Sequence, residues 1–298
     1  MGAFWLGGQR GWSHDAGHAA GTFHTFDQLD VSTAFPPRKV HVFVPREPAP
    51  PGGFRTLYLH DGDTAFWRGG PFGQTWDLGG VLTGLHGRIA PWLVVAVHPV
   101  DRNFEYTHTD WSGGRRSWGG LPAHANYLAD DIAGFVRGHY PVSTRAYDTA
   151  VAGSSHGGLA AFWCATRRPD RFGVAGCFSP SFFSGIDDLR PAGGRPIRLR
   201  DAPLVSDVAG TLADASLRPR IWLCWGGRRT GGDHNAVVEH LAAVRGREMR
   251  DLLASEFGYR VARWPDRGEV TWAEGASHGH DEAAWHERFG WFAQSLRR

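Results

Sequence analysis

The residue types most able to do chemistry in this chain fall in two short segments. Gly153-Ser154-Ser155-His156-Gly157 has the spacing G-x-S-x-G, after an apolar run from Thr149 to Ala152 and before an Ala-rich stretch. A serine at the centre of that spacing sits on a sharp strand-to-helix turn with its hydroxyl presented to solvent, and the flanking glycines let strand and helix approach closely. Gly and Ser are common, so the same letters also fit an ordinary turn or a phosphate-holding loop. The flanking strand and helix patterns point instead to Ser155 as a nucleophile, with Ser154 in the variable position. Because a serine hydroxyl attacks only once a base takes its proton, a histidine is expected downstream, after an acid. The segment Ala276-Ser-His-Gly-His-Asp-Glu-Ala-Ala-Trp285 offers His278 and His280. His280 is the better base, since Asp281 and Glu282 then form the first turn of a closing helix and hold the imidazole at a rigid junction. A metal pair at His278 and His280 is the rival reading, but no further ligands at metal spacing complete it, so no metal is expected.

The acid should follow the apolar strand Ile221 to Trp225. In the loop from Gly226 to Asn235 the one carboxylate is Asp233, which is the candidate by position; its alternative role is the N-cap of the next helix. Glu239, one turn further on, is the weaker alternative. Upstream, Leu57-Tyr-Leu-His-Asp-Gly-Asp63 ends a strand in a Gly-containing turn, so backbone N–H groups of Asp63 and His156 are the expected oxyanion donors. Asp61, Trp67, Arg102, Trp111 and Trp118 are the candidate substrate-binding residues, and Trp76 lies near them in sequence. Fourteen tryptophans and eighteen phenylalanines favour an aromatic, glycosidic or cyclic substrate, because rigid rings stack on aromatic side chains, although many of these residues must be core. Arg102, Arg115 and Arg116 suit an acidic substrate equally well as a solvated surface.

These residues need a scaffold that presents loops at one end of a sheet. Short β-type runs alternate with longer amphipathic stretches, the pattern of an α/β fold with a mostly parallel central sheet and helices on both faces. Strands are expected at Val40–Val44, Arg55–Leu59, Trp92–Val97, Thr149–Ala152, Val174–Phe178, Ile221–Trp225 and Tyr259–Trp264. Helices are expected at Tyr127–Tyr140, Gly158–Arg168, Ala236–Phe257 and Glu282–Ser295, from apolar residues at three- and four-residue spacing. Thr22 to Val44 reads as two antiparallel strands broken at Pro36-Pro37. The whole chain, 1–298, is expected to form one domain, with loop excursions at about 107–125 and 184–218 that shape the site.

Composition excludes several classes. The 32 basic and 30 acidic residues nearly cancel and form no long like-charge block, so nucleic acid is not an expected partner; the bias to Arg, with Lys39 as the one lysine, carries no functional weight. No apolar run is long enough to span a membrane and no signal segment is visible at the start, which fits a cytoplasmic protein. Cys164, Cys177 and Cys224 are odd in number and lie in apolar surroundings, so they read as buried free thiols.

Five segments in order, LYLHDGD (Leu57 to Asp63), RNFEY (Arg102 to Tyr106), AGSSHGGLAAF (Ala152 to Phe162), FSPSFF (Phe178 to Phe183) and GHDEAAW (Gly279 to Trp285), resemble the putative-esterase family of α/β-hydrolases, which includes enterochelin esterases, S-formylglutathione hydrolases and feruloyl esterases. The resemblance covers most of the chain. It implies a single α/β-hydrolase domain, hydrolysis of a small-molecule ester or thioester through an acyl-enzyme on Ser155, a His280 base, an oxyanion hole at the DG turn and no cofactor. Two departures stand out: His156 replaces the Met common in the family, and Arg228 and Arg229 stand where the acid commonly lies, so Asp233 comes late and a Ser-His dyad is an open alternative. An acyltransferase with the same machinery, and a hydrolase-fold binding protein that has lost catalysis, remain the other readings.

Overall fold

The structure is a computed structural model, and it describes residues 2–70, 72–110, 117–187 and 197–296. Its centre is a mixed sheet of strands β1 (Gly2–Leu6), β2 (Gln9–His14), β3 (Gly21–Leu29), β4 (Arg38–Pro45), β5 (Arg55–Leu59), β6 (Trp92–Val97), β7 (Thr149–Ser154), β8 (Val174–Phe178), β9 (Arg220–Gly226), β10 (Val261–Arg263) and β11 (Val270–Gly275). Their spatial order is β1-β2-β3-β4-β6-β5-β7-β8-β9-β11-β10. Neighbours from β1 to β6 pair antiparallel, and from β6 to β10 they pair parallel. The fold is therefore the expected α/β architecture with antiparallel N-terminal strands.

The parallel strands are apolar throughout because both faces are covered. In β6 every residue is buried, and the two-residue period of a strand sends Leu93, Val95 and Val97 to one face and Trp92, Val94 and Ala96 to the other. On the first face lie the helical segments Leu121–His139, His156–Arg167, Pro203–Ala213 and His240–Ser255, contributing Leu128, Leu159, Val205 and Met249. On the second lie Leu78–Gly84 and Glu282–Ser295, with Leu82, Trp285, Phe289 and Phe292. Trp76 is fully buried here against Phe178 and Trp285, so it is a core residue. The three cysteines are free and buried.

Several elements differ from expectation. A hairpin, β1-β2, precedes the two expected N-terminal strands and extends the sheet edge. The strand expected at Tyr259–Trp264 shrinks to Val261–Arg263, and β11, which alternates buried and half-buried residues, slots between it and β9. Within 184–218, residues 188–196 lie outside the described residues, while Pro203–Ala213 is not a loop but a helix that buries Leu204, Val205, Val208 and Leu212. Pro203 occupies its first turn, where the missing N–H costs nothing. Among the described residues no helix is long and apolar enough to cross a membrane.

Candidate active site

The carboxyl ends of the parallel strands carry the loops that meet in one cleft, as expected for an open α/β sheet. The cleft has a volume of about 140 Å³ and is bordered by Asp61, Asp63, Thr64, Phe72, Arg102, Ser154, Ser155, His234, His280, Glu282 and Trp285.

Ser155 follows β7 directly and has φ 56° and ψ −121°, a conformation that costs an L-residue of order 1–3 kcal/mol and persists only where its surroundings hold it. Those surroundings are visible. The Ser155 N–H donates to Phe178 O at 2.9 Å, and its carbonyl accepts from Gly158, Leu159 and Ser181 N–H groups at 3.0, 3.1 and 3.0 Å. Gly153 is required at the start of the turn, because a Cβ there would lie 2.6 Å from the Gly157 carbonyl carbon and oxygen. The Ser155 hydroxyl lies 3.2 Å from Ser181 Oγ. Ser154 is buried, and its carbonyl lies 3.4 Å from the Arg102 guanidinium.

His280 is buried at the turn before the last helix. Its Nδ1–H donates to Glu239 Oε2 at 2.6 Å and its backbone N–H to Asn235 Oδ1 at 2.9 Å. A carboxylate can only accept, so this contact sets the Nδ1–H tautomer and leaves Nε2 with the free lone pair. Asn235 and Glu239 stand four residues apart in the wide π-type turn His234–Glu239 that opens the helix His240–Ser255, so both side chains lie on one side and grip His280 together. The other Glu239 oxygen accepts from Ser179 Oγ at 2.9 Å and from the Gly226 N–H. Glu239 is entirely buried.

The carboxylate that meets the histidine is thus Glu239 and not Asp233. Asp233 is exposed at the start of the wide turn, its side chain makes no capping bond, and it does not reach His280. The other histidine, His278, turns away: its Nε2 pairs with Glu287 at 2.9 Å and its ring stacks on Trp291. Among the described residues no cluster could hold a metal ion.

Asp61 and Asp63 come from the turn after β5. Asp61 has φ 57°, and Gly62 is needed because a Cβ there would lie 2.7 Å from the Ala96 backbone on β6. The Asp61 N–H donates to the buried Tyr106 hydroxyl at 3.1 Å, and its carboxylate takes both arms of Arg102, at 2.7 and 2.8 Å. Beneath this turn His60 is fully buried against Tyr106 and His124, and burial holds its ring well below the usual range, as the neutral form. Asp63 lies in the short helical turn Gly62–Ala65, bordering the cleft, and His156 is the first residue of the helix after Ser155. Burial, then the charge of Asp61, raises Asp63 above the ordinary carboxylate range. Burial also raises Glu282, whose Oε2 has no hydrogen-bond partner among the described residues. His234 is lowered, by burial first and then by the charge of His280.

Of the remaining substrate-binding candidates, Trp111 lies outside the described residues, as do Arg115 and Arg116. Trp67 packs over the N-terminal strands against Phe23 and His41 instead of lining the cleft, and Trp118 stands edge-on to His156 at 6.1 Å. Ser179, Ser181, Asn235, Trp285 and Arg288 belong to the site without a residue pattern in the sequence that marks them for it. The FSPSFF segment contained both serines, and only the turn after β8 shows where they point.

A family model described as Putative esterase matches residues 35–292, so the chain belongs to this family, and with this fold it is a carboxylic ester hydrolase. No curated protein matches the chain. Among solved structures it resembles the enterobactin esterase FES from Shigella flexneri, with TM-score 0.62 and 20% identity over 93% of this chain and 58% of that one. It is also similar to the siderophore hydrolase EstA from Aspergillus nidulans (TM-score 0.62, 18% identity, 95% of this chain and 97% of that one). The BES protein from Bacillus cereus is a further likeness (TM-score 0.60, 15% identity, 97% and 94%). At these identities the likeness is one of fold.

Proposed function

We propose that the protein hydrolyses its ester through an acyl-enzyme on Ser155, with His280 as base and Glu239 as the acid that orients it. The observation that carries this reading is the pairing, in one cleft, of a serine on a strained turn with a buried histidine whose tautomer a buried carboxylate sets. Ser155 Oγ turns from Ser181 to His280 Nε2 when substrate binds, gives up its proton and attacks the carbonyl. The backbone N–H groups of Asp63 and His156 receive the developing oxyanion. His280 then protonates the leaving alcohol and activates the water that releases the acid. The Asp61–Arg102 pair holds the turn that carries Asp63, and no step calls for a cofactor.

For substrate, the reading extends to a small, ring-bearing ester of the siderophore type, since the similar structures are named for siderophores and enterobactin and the aromatic rings of Phe72, His234 and Trp285 border the cleft. The test is hydrolysis of p-nitrophenyl butyrate and of enterobactin by the native protein, Ser155→Ala, His280→Ala and His278→Ala. A fall of about 10³-fold or more is expected in the first two variants, with His278→Ala near native. Undiminished activity in Ser155→Ala removes the mechanism, and hydrolysis of the nitrophenyl ester alone removes the substrate reading.

A further inference from the structure

Behind the His280–Glu239 pair lies a side chain that no step above uses. Arg288, on the last helix, is completely buried, an unusual place for a guanidinium. Its Nε donates to Ala284 O at 3.1 Å, one terminal nitrogen to Ser179 Oγ at 3.2 Å and the other to Gly279 O at 3.2 Å. The nitrogen that meets Ser179 also lies 3.8 Å from Glu239 Oε1. One planar group therefore touches the carbonyl just before the base, the acid's oxygen that faces away from the base, and the hydroxyl that donates to that oxygen. Ser179 has φ 42°, and Trp285 Nε1 donates to the same hydroxyl at 3.3 Å while its ring meets His280 edge-on.

We infer that Arg288 is a positioning residue for the catalytic pair, acting in two separable ways. Its fork ties Gly279 and Ser179 into one frame, so that His280 and Glu239 cannot drift apart. Its charge is the standing counterion of Glu239, so that in the resting enzyme the carboxylate does not depend on an imidazolium for its compensation. A buried carboxylate deprived of that cation would draw a proton onto His280, leaving less of the neutral base that attack on an ester needs. Arg288 does not border the cleft, so it acts on turnover and not on substrate binding.

The other groups facing His280 do not replace it. On the wide turn His234 is lowered from the ordinary imidazole range, by burial first, and Asn235 carries no charge. Asp281 is paired with Arg228, Asp61 is paired with Arg102 across the cleft, and Glu282 is a further acid.

This inference rests on the proposed Ser155–His280–Glu239 mechanism, and the experiment separates the two. The pH dependence of kcat and KM for p-nitrophenyl butyrate is measured for the native protein, Ser155→Ala, Arg288→Gln and Arg288→Lys, with thermal unfolding of each. Arg288→Gln keeps donors but loses the charge. The acid limb of its kcat/KM profile should move up by about one pH unit, with KM within about threefold of native. Arg288→Lys keeps the charge but not the fork, so its acid limb should stay in place while kcat falls about tenfold. A native acid limb in folded Arg288→Gln, or native kcat in Arg288→Lys, overturns the inference while leaving the mechanism standing. If Arg288→Gln does not fold, the Arg288→Lys profile decides alone. Loss of Ser155 dependence in the native protein would instead bring down the mechanism beneath it.

Discussion

Replacing Glu239 with Gln deletes one negative charge and almost nothing else, and the geometry gives a magnitude for the effect. The His280 Nδ1 to Glu239 Oε2 separation is 2.6 Å, at which Coulomb's law with an effective dielectric of about 20 puts the attraction between carboxylate and imidazolium at roughly 6 kcal/mol. That is an upper bound on what the variant loses, because the Gln oxygen still accepts a hydrogen bond and the site relaxes around it. A Gln that keeps Ser179 and the Gly226 N–H satisfied through its oxygen, however, turns its amide N–H₂ toward His280 and favours the wrong tautomer. The expected outcome is a fall in kcat of about 10³- to 10⁴-fold with KM little changed, the range seen when a triad acid is neutralised. Asp233→Asn, the control at the position favoured from the sequence, should stay within about twofold of native, as an exposed side chain with no contact to the histidine. Steady-state hydrolysis of p-nitrophenyl butyrate measures both, and thermal unfolding checks that each variant is folded. Retention of more than a tenth of native kcat in Glu239→Gln would mean that the acid is dispensable and the site works as a dyad. An equal loss in Asp233→Asn would mean that the loop rearranges in solution.

Two further outcomes concern other contacts in the fold. Ser181→Ala removes only the resting partner of the Ser155 hydroxyl, 3.2 Å away, so kcat/KM should change by no more than about threefold; a loss near that of Ser155→Ala would make Ser181 part of the chemistry itself. Burial opposes ionisation of Glu105, but the hydrogen bonds and charges of His124 and Arg38 outweigh it and hold the carboxyl at about 2, below its ordinary 4.5. The ionised form is thus favoured in the fold, so its stabilisation, of order 3 kcal/mol, is present in full above about pH 4.5 and is lost as pH falls toward 2. Urea unfolding of native protein and Glu105→Gln from pH 6 to 2.5 should show the steeper decline in the native protein, and parallel slopes would refute this.

Much of the framework follows from local sequence. Residues 92–97 are apolar without interruption and so must be covered on both faces, and the bounds of β5, β6 and β8 and of the last helix coincide with their sequence patterns. The turn at Ser155 was legible for the same reason, since strand, glycine spacing and helix are all nearest-neighbour features. What needed the tertiary structure was every relation between residues distant in the chain. Asp233 was favoured because it follows β9 most directly, yet the wide turn at His234–Glu239 carries the chain past it and presents Asn235 and Glu239 to a histidine more than forty residues away. Arg288 reads as one more charged residue on an amphipathic helix until the packing of that helix against the turn after β8 buries it beside Ser179 and Glu239. β11 carries little local strand signal, because its pattern of buried residues is set by the strands that flank it. Local patterning determines which segments become strands, turns and helices, because backbone preference and apolar period act over a few residues. The partners of a buried charge depend instead on how those segments dock, and only the assembled sheet and its covering helices decide that.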